Sequence, residues 1–315
     1  MGTCRQNNED NFSVKGKSIP FNDISSRHLT SSAPESYGVV GVFDGMGGEQ
    51  YGEIASSIAA QLLPAYTTTI LNDQNTGVTQ FLKHANKLIE IQIEERRAKM
   101  GTTAVIASYT EKGVTFYNLG DSRAYLLSGN RLLQCSYDDT VAQQMVSIGL
   151  ITPQEALADK RKHQLTQHLG IASEEMTLSA HCSGEISVYE GDCFLLCSDG
   201  VTDALSDTNI AFILSQKKSS AEIAEDIVMN AMINQSKDNV TAIVVKVQGG
   251  ESKPNLGGDK HKNNSRPVPV RVEQRFPAQN PVIKKETGKI AALWILCDIL
   301  ALALGAACAI LKNVL

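Results

Sequence analysis

TTAVIASYTEKGVTFYNLGDSRAYLL, residues 102–127, contains three short runs rich in β-branched and aromatic residues: 102–109, 113–119 and 123–127. The joints between and after them, 110–113 with Gly113 and 128–130 with Gly129, are short turns. Turns of this length join antiparallel strands, whereas parallel neighbours need a crossover of about a dozen residues or more. The stretch therefore predicts β-hairpins in a largely antiparallel sheet. Further out, YGVVGVF (37–43), CFLLC (193–197) and NVTAIVVKV (239–247) have the same character and read as strands. Gly52–Leu71 and Val78–Arg97 have the length and period of amphipathic helices. Two more helices are expected over Asp207–Gln216, capped by Ser206, and over Ala221–Asn234, capped by Ser219 or Ser220. Strands with helices packed outside them make an α+β domain, and no repeat within residues 1–247 suggests a solenoid or propeller.

The composition sets limits on function. With 42% hydrophobic residues in 315, the chain can fill a sizeable core, which excludes wholesale disorder. Its formal net charge of -5 argues against a nucleic-acid partner. The charge is unevenly spread: residues 248–289 hold nine Lys and Arg against four acids, leaving residues 1–247 with 19 basic and 29 acidic side chains. Seven cysteines, odd in number and without a CxxC pair, fit neither a disulfide framework nor a zinc site and point to a reduced, cytosolic setting. The polar first ten residues are no signal peptide.

The carboxyl end has another character. IAALWILCDILALALGAACAIL, residues 290–311, is 22 residues long with one charge, Asp298. As a helix it would span about 33 Å, enough for a hydrocarbon core of about 30 Å. Lys284, Lys285 and Lys289 precede it and Lys312 alone follows, so the positive-inside bias places the large domain in the cytoplasm. Residues 248–289, with two Gly pairs, five prolines and few large apolar side chains, read as a disordered basic linker. The expected organisation is a domain over 1–247, a linker over 248–289, a single-pass transmembrane helix over 290–311 and a short tail over 312–315.

The placement of aspartates carries the chemistry. Asp44 ends the run at 37–43, Asp121 closes GVTFYNLG, Asp199 closes CFLLCS, and Asp238 opens NVTAIVVKV. Strands of one sheet can aim such carboxylates at a common point, where they would repel one another unless cations neutralised them. Hard divalent ions, Mg²⁺ or Mn²⁺, suit oxygen donors of this kind. The glycines of Asp44-Gly45-Met46-Gly47-Gly48 would let the backbone come close, with the Gly45 carbonyl free to join a metal's shell. A cysteine phosphatase is excluded: His181-Cys182-Ser183-Gly184 resembles its nucleophile loop, but Val188 stands where a phosphate-clamping Arg is needed.

RQNNED (5–10), VFDGMGG (42–48), GTTA (101–104), NLGDSRAYLL (118–127), HQLTQHLG (163–170), CSDGVTD (197–203) and KDNVTAIVV (237–245), in that order, resemble the PPM-type metal-dependent protein phosphatases, also called protein phosphatase 2C, in their bacterial branch. The resemblance covers residues 2–247. It implies an antiparallel β-sandwich flanked by helices on both sides, and hydrolysis of phosphoserine and phosphothreonine in proteins by attack of a hydroxide bridging two Mn²⁺ or Mg²⁺ ions. Asp44 would bridge the ions, the Gly45 carbonyl would bind one, and Asp199 and Asp238 would bind the other. Glu9 and Asp10 would hold coordinated waters, Asp121 with Asp199 and Asp203 a third, weaker ion, and Arg5 the substrate phosphate. Phosphorylated proteins are the implied partners, with a membrane Ser/Thr kinase as opponent.

The resemblance also has departures. Met46 stands where animal-type members carry a His, and it cannot protonate a leaving group; His28, His84, His163, His168 and His181 read instead as surface or core residues. Members of the family place a full strand ahead of the position of Arg5, and four residues precede it here, so the sheet is expected to lack that edge strand or the start to lie upstream. Ser136–Thr177 corresponds to the flap beside the site in bacterial members, or is a structural helical insertion. The competing reading is a catalytically inactive, membrane-tethered phosphoprotein-binding module of the same fold, which would be expected to have lost one of Asp44, Asp199 and Asp238; all three are present.

Overall fold

The computed structural model describes residues 5, 7–20, 28–33, 35–47 and 51–249, all within the first of the two units into which the chain divides, Met1–Asn255. The expected transmembrane helix and tail, and the linker beyond 249, lie outside the described residues.

In chain order the strands are β1 (Asn11–Val14), β2 (Gly38–Phe43), β3 (Gly45–Met46), β4 (Gly101–Thr102), β5 (Ala104–Thr110), β6 (Gly113–Leu119), β7 (Arg123–Ser128), β8 (Arg131–Gln134), β9 (His181–Ile186), β10 (Cys193–Cys197) and β11 (Ala242–Lys246). The helices are α1 (Gly52–Asn72), α2 (Gln74–Arg96), α3 (Val141–Ser147), α4 (Pro153–Ala158), α5 (Asp199–Thr202), α6 (Asp207–Leu214) and α7 (Ser220–Ile233). One sheet has the order β1-β2-β5-β6-β9 and another β11-β10-β7-β8, with β3 and β4 as a small third pair. Every pairing is antiparallel, and Thr110↔Gly113 and Ser128↔Arg131 close the two expected hairpins.

Period-two alternation builds four layers. Val40, Val42, Val105, Phe116, Leu126, Phe194 and Leu196 fill the space between the sheets, where Phe116 and Phe194 meet edge to face at 5.6 Å. The opposite faces carry the helices. Val39, Ile106 and Leu119 pack with α1 and α2, while Tyr125, Leu195 and Val244 pack with α6 and α7. Cys193 and Cys197 point with Leu195 into that second helical layer, as core packing. Among the described residues α1 alone has the length and apolarity to cross a membrane. Its Ala55, Ala59, Leu63 and Ile70 are instead buried in the first helical layer.

Local signals place the helix ends. Ser206 caps α6, and Ser219 with Glu222 forms a capping box on α7. α2 begins earlier than its apolar period predicts, at Gln74, because the Asp73 side chain accepts from the Thr76 N–H. The strand expected over 102–109 breaks at Thr103, so that Thr102 pairs in β4 while Ala104 starts β5. β1, β3, β8 and β9 are additional strands; β8 is exposed at its ends, and β9 alternates weakly.

Candidate functional site

The registers gather one set of strand ends at a single rim. Asn11 faces Phe43, Val42 faces Val105, and Ala104 faces Leu119 in the larger sheet; Cys197 faces both Arg123 and Ala242 in the smaller. Asp10 directly precedes β1 and Asp238 lies just ahead of β11. Asp44 follows β2, Asp199 closely follows β10, and Asp121 sits where the chain leaves β6 of one sheet to enter β7 of the other. Antiparallel pairing thus turns five distant positions into one cluster.

Backbone contacts at Asp44 fix its direction. Its N–H donates to Thr103 Oγ1 at 3.0 Å, and its carbonyl accepts from the Thr103 N–H at 2.9 Å and from Thr102 Oγ1 at 2.9 Å. Thr103 Oγ1 also pairs with Ser122 Oγ at 2.7 Å, beside Asp121. Gly45 donates its N–H to the Glu9 carbonyl at 3.1 Å, and a Cβ at Gly45 would stand 2.3 Å from both the Glu9 and Gly52 carbonyl oxygens. The glycine is required by this close approach of three backbone segments.

The amino-terminal arm is held by the smaller sheet. Asn239 Oδ1 accepts the Glu9 N–H at 2.8 Å and Asn239 Nδ2 donates to the Asn7 carbonyl at 3.1 Å. Ser198 Oγ donates to Asp10 Oδ2 at 2.7 Å, bridging the sheets. Arg5 forks Asp238 through Nε and Nη2, both at 2.8 Å, with Nη1 3.4 Å from Glu9 Oε2.

Burial and mutual repulsion make this an unfavourable place for uncompensated charge. Burial, then the charges of Asp10, Asp199, Asp121 and Asp238, raises the Asp44 carboxyl well above its ordinary value. Burial and Asp199 do the same at Asp121. Asp10 is pushed up to about 7 by burial, although Ser198 and Thr241 hydrogen bonds oppose this. Glu9 is raised by burial, against the pull of Arg5. Asp199 Oδ1 is buried without a hydrogen-bond partner. A carboxylate oxygen so placed, among hard oxygen donors that repel one another, fits divalent cations.

The third-ion set implied by the resemblance is assembled differently. Asp121 and Asp199 converge with His163, their ligand atoms all within 4.8 Å of one another. Asp203 instead pairs with Lys162 Nζ at 3.0 Å and with His163 Nε2 at 3.2 Å. His163 Nδ1 lies 3.3 Å from Asp199 Oδ2, and the hydrogen bonds to Asp199 and Asp203 raise the imidazole to about 10. His163 is exposed, as expected of a surface residue, and it also reaches the cluster. Its signal was its place at the head of HQLTQHLG, directly after Lys162. The other described histidines with resolved partners have structural contacts: His84 with Tyr66, His168 with the Leu169 carbonyl and His181 with Asp139. Met46 pairs in β3 with Gly101.

The segment 136–177 carries α3 and α4, capped by Thr140 and by a Thr152–Glu155 capping box. Its exposed Ile148, Leu150 and Leu157 face solvent, and its later part brings Lys162 and His163 to the acids.

Comparison with known proteins gives a consistent result. The family model described as protein phosphatase 2C matches residues 3–145. The serine/threonine phosphatase stp of Listeria welshimeri is 32% identical over 216 residues, covering 66% of this chain and 84% of the relative. The crystal structure of the Mycobacterium tuberculosis serine/threonine phosphatase PstP/Ppp superposes with a TM-score of 0.65 at 28% identity, covering 79% of this chain and 95% of that one. The catalytic domain of PstP in complex with two manganese ions superposes with a TM-score of 0.60 at 29% identity, over 79% of this chain and 95% of that one.

Proposed function

Given that the chain belongs to the protein phosphatase 2C family, we propose that the acidic rim is the active site of a protein-serine/threonine phosphatase, hydrolysing phosphoserine and phosphothreonine with Mn²⁺ or Mg²⁺. The observation that carries the reading is the convergence of Asp10, Asp44, Asp121, Asp199 and Asp238 from both sheets, with the buried Asp199 Oδ1 lacking any partner. In this reading Asp44, Asp199, Asp238 and the Gly45 carbonyl would hold two ions, with Glu9 and Asp10 beside them, and Asp121 would serve a third, weaker one. Bound there, such ions would supply charge to neutralise the phosphate and acidity for an attacking water, the chemistry of hydrolysis without a phosphoenzyme.

The chain's own groups supply position. Arg5, held at the rim by Asp238 and Glu9, presents a planar, permanently charged fork to the phosphate. Thr102 and Thr103 hold the Asp44 backbone, leaving its carboxylate free to face the other acids. Met46 has no proton to give, so the leaving oxygen takes its proton from elsewhere.

Residues 290–311 are read as a single-pass anchor and 248–289 as a basic tether, with the catalytic domain facing the cytoplasm. Support comes from the apolar run and from Lys284, Lys285 and Lys289 on its amino-terminal side. A membrane Ser/Thr kinase and its substrates are the partners this placement favours.

The test is phosphate release from a phosphothreonine peptide with Mn²⁺, with Mg²⁺ and with chelator. Metal-dependent release that vanishes in Asp199→Asn is expected. Silence from folded protein in every condition would favour the inactive binding module.

A further inference from the structure

We infer that His163 is a nitrogen ligand for a divalent cation held between Asp121 and Asp199, with Asp203 positioning the imidazole rather than binding the ion. The inference rests on the phosphatase reading for the neighbouring pair of ions and departs from it in the donor set.

Three observations support it. Ligand atoms about 2.0–2.2 Å from one ion lie up to about 4.4 Å apart, so the 4.8 Å span of Asp121, His163 and Asp199 closes with shifts of tenths of an ångström. Second, the two ring nitrogens face different groups. Nδ1 lies toward Asp199 at 3.3 Å, and Nε2 lies 3.2 Å from Asp203 Oδ2. A metal-bound imidazole commonly gives its other N–H to a carboxylate, which fixes tautomer and ring orientation. Asp203, held from its far side by Lys162, is placed for that role. Third, Asp199 Oδ1 is buried and unpartnered although its other oxygen meets His163, so the imidazole alone does not satisfy this carboxylate.

His163 is also presented by fixed backbone. Val141 N–H donates to the Gln164 carbonyl at 2.9 Å, Thr166 N–H donates to the Asp139 carbonyl at 2.8 Å, and Leu169 exchanges both backbone bonds with Thr102 at 2.9 and 3.0 Å. Thr102 is the residue that also holds the Asp44 carbonyl, so the imidazole and the central acid share one support. A donor held this way loses little freedom on binding. Because imidazole suits first-row transition ions and all-oxygen sites suit Mg²⁺, this position prefers Mn²⁺ over Mg²⁺, more strongly than the neighbouring pair does.

The experiment uses the full chain and Mn²⁺ alone as probe. Binding is followed by electron paramagnetic resonance, and the ligand atoms are read by pulsed detection of ¹⁴N coupling. The expected result is a ¹⁴N signal in the wild type as the weakest ion binds. His163→Gln should lose that signal and bind that ion at least about tenfold more weakly, with unchanged circular dichroism. Asp203→Asn should keep the signal while binding weakens. No ¹⁴N signal in the wild type, or one that survives in His163→Gln, overturns the inference and shows His163 to be an ion-pair partner only. The tight pair of ions is counted in the same titration. Its absence would overturn the phosphatase reading, while the nitrogen signal still decides the role of His163.

Discussion

Arg5 donates Nε–H to one carboxylate oxygen of Asp238 and Nη2–H to the other, each at 2.8 Å, across 233 positions of sequence. A group proposed to hold a cation therefore also anchors the group proposed to hold phosphate. On the proposed reading, ion and substrate binding would be coupled through this one carboxylate.

Arg5→Ala should raise KM for a phosphopeptide more than it lowers kcat, because the guanidinium contributes binding more than chemistry. Steady-state kinetics at saturating Mn²⁺ checks this. An unchanged KM would remove Arg5 from the phosphate site.

Asp44→Asn should abolish turnover. It should also leave the metal-free fold as stable as the wild type or more so, since it removes a buried carboxyl repelled by Asp10, Asp199, Asp121 and Asp238. Activity assay and thermal melting in chelator together test the point. Substantial residual turnover would sink the two-ion reading.

Thr103→Val keeps shape but strips a hydroxyl shared by the Asp44 N–H and Ser122 Oγ. Two buried polar groups would lose a partner, at about 1–3 kcal/mol each. Urea unfolding should show that loss, and Mn²⁺ affinity should fall with it because the Asp44 backbone is no longer held.

In chelator, stability should fall as pH rises from about 4 through about 7. Asp10, Asp44 and Asp121 have folded-state values above their unfolded ones, Asp10 at about 7. They favour the native state while protonated and lose that contribution as they ionise. His163, raised to about 10, loses its contribution in the same direction but at higher pH. Mn²⁺ should restore the melting temperature, and by more at pH 8 than at pH 5. A flat pH profile without metal would mean that the acids are already neutralised.

Removing residues 250–315 should release a soluble, active domain from membranes. Retention of that truncated chain in the membrane fraction would overturn the anchor assignment.

The antiparallel sheet was legible in the sequence because its central strands are long and β-branched and its hairpin turns short, Thr110↔Gly113 pairing where Gly113 marked a turn, whereas the sandwich came from the resemblance. β1 and β9 escaped notice because an edge strand with one wet face has no continuous apolar run. Asp44, Asp121, Asp199 and Asp238 stood out by position alone, each at or near a strand end. Thr103, Ser198 and Asn239 did not, because their work is done by hydroxyl and amide contacts with backbone and side chains far away in sequence. His163 reads in the sequence as a surface or core residue because a lone histidine in a loop gives no periodic signal, and the bridges pinning 164–169 to Thr140 and Thr102 bring it to the acids.

Asp121 lies in the three-residue passage from one sheet to the other, and the remaining acids are divided between the two. The apolar filling between the sheets, with Phe116 and Phe194 at its centre, consequently acts as the spacer of a caliper whose jaws are carboxylates. A substitution that thins this filling, such as Phe194→Leu, would change the gap between charges as well as the melting temperature. The spacing of the acids is in that sense set from deep inside the sandwich, by apolar residues remote from the rim.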